Sequence, residues 1–184
     1  MTAGLDPDVL VIVVVVASAV GGLEELRTGL VTPAVGRGWR VGVTLTPSAQ
    51  RWLRESGELP LLETASGLPV RSSPRLPWQE SPHPDPDCFA VLASANLVAK
   101  LALGIADTQA STQVCEAIGG RRLPVVLLPR TNPDHAAHPA FAGHLETLRS
   151  AGVHVLDLSP QPPPPWTTFL ASIAATLPRP TSVG

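Results

Sequence analysis

Charge is scarce in this chain. Only 15% of its 184 residues are Asp, Glu, Lys or Arg, and the net charge is −2. No basic face can be assembled from that, which excludes an electrostatic footprint for nucleic acid or for an anionic membrane. Lysine is nearly missing: Lys100 stands alone beside twelve arginines. That bias, with 21 prolines and abundant alanine, is the mark of a GC-rich genome and carries no chemistry. Cysteine is rare too. Cys88 and Cys115 give neither a disulfide framework nor a metal-ligand spacing. Their apolar neighbours predict burial. No apolar run is long enough for a membrane. Val9–Val20 is apolar throughout, but a span takes about 20 residues. Asp6 and Asp8 precede it, where a signal peptide would carry Lys or Arg. The run therefore predicts a parallel strand buried on both faces, in a cytoplasmic protein. Gly-x-Gly-x-x-Gly is absent, and with it the dinucleotide fingerprint. No internal repeat is evident.

What is present is apolar residues, at 44%, enough for one domain over residues 1–184 with a full core. Strands are expected at Asp8–Ala17, Trp39–Leu45, Phe89–Leu92, Leu123–Leu128 and Val153–Leu158. Helices are expected at Leu23–Val35, Gln50–Glu55, Asn96–Gly104, Ser111–Ile118, Ala140–Ser150 and Trp166–Leu177. Thr46 can cap the second helix, with Pro47 in its first turn, and Gly152 suits a helix C-terminus. Gly57–Asp87 is proline-rich and lacks an apolar period, so it reads as a long loop, functional or mobile. Pro160–Pro165 reads as a spacer before the closing helix, which ends near residue 178. Strands alternating with helices give an α/β, three-layer, Rossmann-like parallel sheet with helices on both faces.

In such sheets ligands sit beyond the carboxyl ends of the strands. Three strand ends here carry small hydroxyl or amide residues: Ser18; Thr46 with Ser48; and Ser94 with Asn96. Each alone reads as a helix cap. Together on one edge they predict a pocket for a mononucleotide such as FMN. Asn132, in Pro-x-x-Asn-Pro, reads either as a turn residue before Pro133 or as a contact for a substrate.

The segments Leu92-Ala93-Ser94-Ala95-Asn96-Leu97, Gly104-Ile105-Ala106-Asp107-Thr108 and Pro129-Arg130-Thr131-Asn132 agree in order and spacing with a known pattern. They resemble the Pro-Ala-Ser-Ala-Asn-Thr and Pro-x-Met-Asn motifs of the flavoprotein family of homo-oligomeric flavin-containing cysteine decarboxylases. The resemblance covers roughly residues 9–158. That family includes lantibiotic peptidyl-cysteine decarboxylases, phosphopantothenoylcysteine decarboxylase and the flavin prenyltransferases. It implies FMN in preference to FAD, held by Ser18, Thr46, Ser48, Ala93, Ser94 and Asn96, with Asp107 and Thr108 at the next turn. It makes Asn132 the contact for a substrate carboxylate. It also implies a homo-oligomer, probably built on trimers, and a role in natural-product biosynthesis. The family's catalytic His, counted back from Leu92, falls on Trp78, and His83 is the nearby candidate for that role. His135 and His138 follow where the family has a substrate clamp. Leu92, Leu97 and Thr131 replace the motifs' Pro, Thr and Met.

Two function classes follow. One is an FMN-dependent lyase that oxidatively decarboxylates a Cys-containing peptide or small thiol conjugate, with the proline-rich loop as a lid. The other is a non-catalytic, accessory flavin-binding subunit. A flavin prenyltransferase-like enzyme is a related option, and it needs basic residues for a second phosphate, for which Arg130 and Arg122 are the candidates. A shared fold does not carry function with it.

Overall fold

The computed structural model describes residues 11–157 and 165–177. The expected start of the first strand at Asp8, the end of the last at Leu158, and nearly all of the Pro160–Pro165 spacer lie outside them. Five parallel strands form one sheet in the order β2-β1-β3-β4-β5. They are β1 (Ile12–Ala17), β2 (Arg40–Leu45), β3 (Cys88–Ala93), β4 (Val125–Pro129) and β5 (His154–Val155). The expected doubly covered parallel sheet is the one observed.

The valine run explains why β1 sits at the centre. Along it, Val13, Val15 and Ala17 enter one core, while Val14 and Val16 enter the other. A β-branched residue at every position from Ile12 to Val16 serves a strand with no wet face. One core is closed by the helical stretch after β1, by α2 (Pro47–Glu55), α3 (Glu58–Ser66) and α8 (Trp166–Thr176). The other is closed by α4 (Ala95–Leu103), α5 (Gln109–Gly120) and α7 (Pro139–Ser150). A short helix, α6 (Pro133–Ala136), follows β4.

Several boundaries differ from the expectation. The Leu23–Val35 stretch is helical, but as a 3-10 turn (Leu23–Glu25), a π segment (Arg27–Val31) and an α turn, α1 (Thr32–Val35). Gly29 leaves room there for the Trp166 indole, whose Nε1 donates to Glu25 Oε2 at 3.1 Å. β5 is two residues long, not six. The largest correction is Gly57–Asp87, which is not structureless. Its first third is α3, entered through Gly57 at φ 78° and left through Gly67 at φ 67°. Prolines hid it, because only Leu62 of this helix is fully buried and no apolar stripe marks it.

The rest of that segment is fastened to the outer edge of β2 at two points, Arg71 and His83. Arg71 N–H donates to Val43 O at 2.9 Å, and Leu45 N–H donates to Arg71 O at 2.7 Å. His83 Nε2 lies 2.8 Å from Pro69 O. The imidazole sits over Gly42, where a Cβ would come within 2.9 Å of Nδ1. Cys88 is buried as expected, and desolvation pushes its thiol up to about 11. Cys115 is only partly buried.

Candidate active site

The strands end within one residue of one another. Ala17 pairs with Leu45 and with Leu92, and Ala93 pairs with Pro129. The next residues, Ser18, Thr46, Ser94 and Arg130, therefore form one rim at the carboxyl end of the sheet. They line a cavity of about 730 Å³, together with Ser48, Trp52, Asn96, Lys100, Thr108, Asn132 and His135. The strand order reverses between β1 and β3, and a doubly wound sheet opens its ligand crevice at that switch. The volume lies within the range of small-molecule sites.

Ser18 is nearly inaccessible, at 3%. Its Oγ donates to Leu92 O at 2.9 Å and accepts Ser94 N–H at 2.6 Å. Thr46 and Ser94 are caps as well as wall residues. Thr46 Oγ1 accepts Ala49 N–H and Ser94 Oγ accepts Leu97 N–H, each at 3.3 Å. Ser48 and Asn96 are exposed on the first turns of α2 and α4. Ala93 does not reach the wall: it is fully buried, and its carbonyl accepts Arg130 N–H at 2.8 Å.

On the α4–α5 side, Thr108 caps α5 through a reciprocal pair with Ser111. Asp107 stands behind the wall. It accepts from Lys100 Nζ at 2.6 Å, and that bond first of all holds its carboxyl below the usual range. Arg130 is 7% exposed, with a guanidinium nitrogen 3.5 Å from Gly21 O. Two cations and no unpaired carboxylate face the cavity, which suits anionic ligands. Arg122, the other basic candidate, lies far off beside Leu123, before β4.

Asn132 is both a helix cap and a wall residue. It caps α6, its Oδ1 accepting His135 N–H at 2.8 Å, and it lines the cavity, with its amide hydrogens left to donate. His138 caps α7 through Nδ1, 3.2 Å from Ala140 N. His83 is not brought to the cavity. It is 4% exposed against β2, and burial above all lowers its pKa. No residue of 57–87 lines the cavity, so that stretch is not placed as a lid. Trp78, at the family's His position, is 78% exposed.

Sequence reasoning missed Trp52 and Lys100 as wall residues, and saw His135 only as part of a clamp. Each lies one helical turn beyond a residue that was singled out: Ser48, Asn96 and Asn132.

The residues present fit a flavin mononucleotide. Hydroxyls and backbone at the strand ends suit a phosphate and ribityl chain, and the Trp52 indole, 52% exposed, offers a flat apolar face. Among known proteins, residues 88–176 match the family described as Flavoprotein. The solved FMN-dependent cysteine decarboxylase TvaF from thioviridamide biosynthesis is 25% identical, with TM-score 0.69, over 90% of this chain and 97% of that one. HAL3 from Cryptococcus neoformans (20%, TM-score 0.68, over 92% and 96%) and the peptidyl-cysteine decarboxylase EpiD (18%, TM-score 0.61, over 89% and 99%) share the fold. A curated cysteine/cysteine sulfinic acid decarboxylase from an unknown prokaryotic organism is 37% identical over 65 residues. That match spans 35% of this chain and only 17% of the relative's length. Residues 88–176 of this chain thus carry the pattern of the family described as Flavoprotein, and its fold is shared over nine-tenths of its length with TvaF.

Proposed function

We propose that this protein binds FMN in the cavity at the β1/β3 switch and oxidatively decarboxylates a cysteine at the end of a peptide or small conjugate. The observation that carries this reading is the rim of Ser18, Thr46, Ser94 and Arg130, with Asn132 on its wall. The likeness to TvaF, named as an FMN-dependent cysteine decarboxylase, supports it.

In this reading the turn after Ser18, together with Thr46, Ser48 and Ser94, holds the phosphate and ribityl chain. Ser18 contributes chiefly by fixing that turn, since its hydroxyl already binds Leu92 and Ser94. Trp52 faces the ring system. The Asn132 amide donates to the substrate carboxylate without neutralising it, so the group stays poised to leave as CO2. When bound, FMN supplies the two-electron acceptor that makes loss of CO2 from the oxidised thiol easy. Asp107 acts by holding Lys100, whose ammonium adds positive potential at the wall.

The proposal extends to a homo-oligomer built on trimers. Leu103 and Ile105 support this: they are exposed at the end of α4, beside the Lys100–Asp107 pair. It extends also to a cytoplasmic setting and to natural-product biosynthesis, on the TvaF likeness. Among the described residues no helix is long and apolar enough to cross a membrane.

The test is the absorbance spectrum of the purified protein, followed by incubation with a Cys-terminated peptide. Turnover removes about 46 Da, CO2 plus two hydrogens. Colourless protein that takes up no FMN on soaking overturns the reading. Flavin-loaded protein that leaves peptides and small Cys conjugates unchanged leaves an accessory flavoprotein in its place.

A further inference from the structure

We infer that His135 is the base that takes the proton from the substrate thiol, an inference that rests on the decarboxylase reading. The site needs such a group. A cysteine thiol has a pKa of about 8.5 and is mostly protonated at neutral pH. His83 is held against β2, away from the cavity. Among the described wall residues, Lys100 is an ammonium paired with Asp107, and Arg130 is permanently charged. Serine, threonine and asparagine are poor bases. His135 is the one imidazole on the wall. Its ring makes no hydrogen bond with any described residue, although its backbone N–H is fixed by Asn132.

The placement fits one cysteine. Asn132 and His135 are three residues apart at the start of α6, so their Cβ atoms lie about 5–6 Å apart on one side. In cysteine, only two carbons separate the sulfur from the carboxylate. With the carboxylate on the Asn132 amide, the sulfur comes within reach of the imidazole. The S–H bond then breaks heterolytically. Its proton goes to the unprotonated ring nitrogen of His135, and its electron pair stays on sulfur. Lys100 and Arg130, which line the same cavity, favour the thiolate. The other ionisable groups around His135 are Asp134 beside it on α6, and His138 and His144 in the adjoining groove.

The experiment compares kcat/KM for a Cys-terminated peptide, from pH 5 to 9, in flavin-loaded wild type and His135→Gln. In flavin-free protein the same peptide is titrated against labelled histidine ring resonances, with His135→Gln giving the assignment. The gap between wild type and variant should be widest below about pH 8, where the thiol is protonated. The variant should lose about 10²-fold or more near neutrality, and recover as the thiol ionises unaided above about pH 8. The His135 signal should move when the peptide binds. A variant that keeps the wild-type rate near neutrality, or a His135 signal unmoved by bound peptide, overturns the inference and leaves the decarboxylase reading standing. A flavin-loaded wild type that never turns over takes both down.

Discussion

Ser94 hangs its backbone N–H on the Ser18 hydroxyl at 2.6 Å, and that hydroxyl gives its own proton to the Leu92 carbonyl at 2.9 Å. One buried side chain therefore ties the end of β1 to the end of β3 across the mouth of the switch. Ser18→Ala leaves the part-buried Ser94 N–H without its partner. We expect a loss of about 1–3 kcal/mol in stability, read from the urea midpoint, together with weaker FMN binding. An unchanged midpoint would show that the tie contributes nothing.

Asn132 has two tasks that a pair of substitutions separates. Asn132→Asp keeps an oxygen to cap α6 but removes the amide donor and brings negative charge to the carboxylate. Asn132→Ala removes both. Turnover should fall about 10²-fold or more in each, with the flavin spectrum retained. Only Asn132→Ala should also lose helix-cap stability, by about 1 kcal/mol. An Asn132→Asp protein that turns over normally would refute the carboxylate contact.

His83 makes stability depend on pH. Burial depresses its imidazole in the folded chain, so the unfolded chain takes up the proton first as pH falls. Its contribution is complete above the ordinary histidine value of about 6.5. It is lost as pH drops through the lower folded value. The melting temperature of the wild type should therefore fall more steeply below that pH than that of His83→Gln; parallel curves would assign the slope to another group. Gly42→Ala should cost about 1–3 kcal/mol by crowding this ring, and His83→Ala in the same chain should recover part of it.

Trp52 reports on the ligand. FMN added to flavin-free protein should quench tryptophan emission, and Trp52→Phe should lose the larger share of that quench. Trp39 and Trp166 are buried in the core away from the cavity, and Trp78 stands in solvent. Quenching that survives in Trp52→Phe would place the flavin ring elsewhere.

Much of this was legible in the sequence because it depends on local rules. Alternate valines spell a doubly buried strand, and Thr46, Ser94 and Thr108 announce helix starts through their capping oxygens. The misses are of another kind. Trp52, Lys100 and His135 became visible only once α2, α4 and α6 had fixed which turn faces the rim. α3 was lost among prolines because its stability comes from neighbours rather than from its own period. His83 shows the limit most clearly. Its position depends on an absent side chain at Gly42, on a strand more than thirty residues earlier in the chain, and no motif spells such a contact.

The fastening of the segment around Arg71 and His83 to β2 has a consequence for solubility. β2 is the outermost strand, and a bare strand edge invites another chain to add itself in β fashion. The two backbone hydrogen bonds of Arg71 occupy that edge, and the imidazole wedged over Gly42 keeps them there. What reads in the sequence as a long proline-rich loop is a cover on the β2 edge, and stripping it away should open that edge to pairing with another chain.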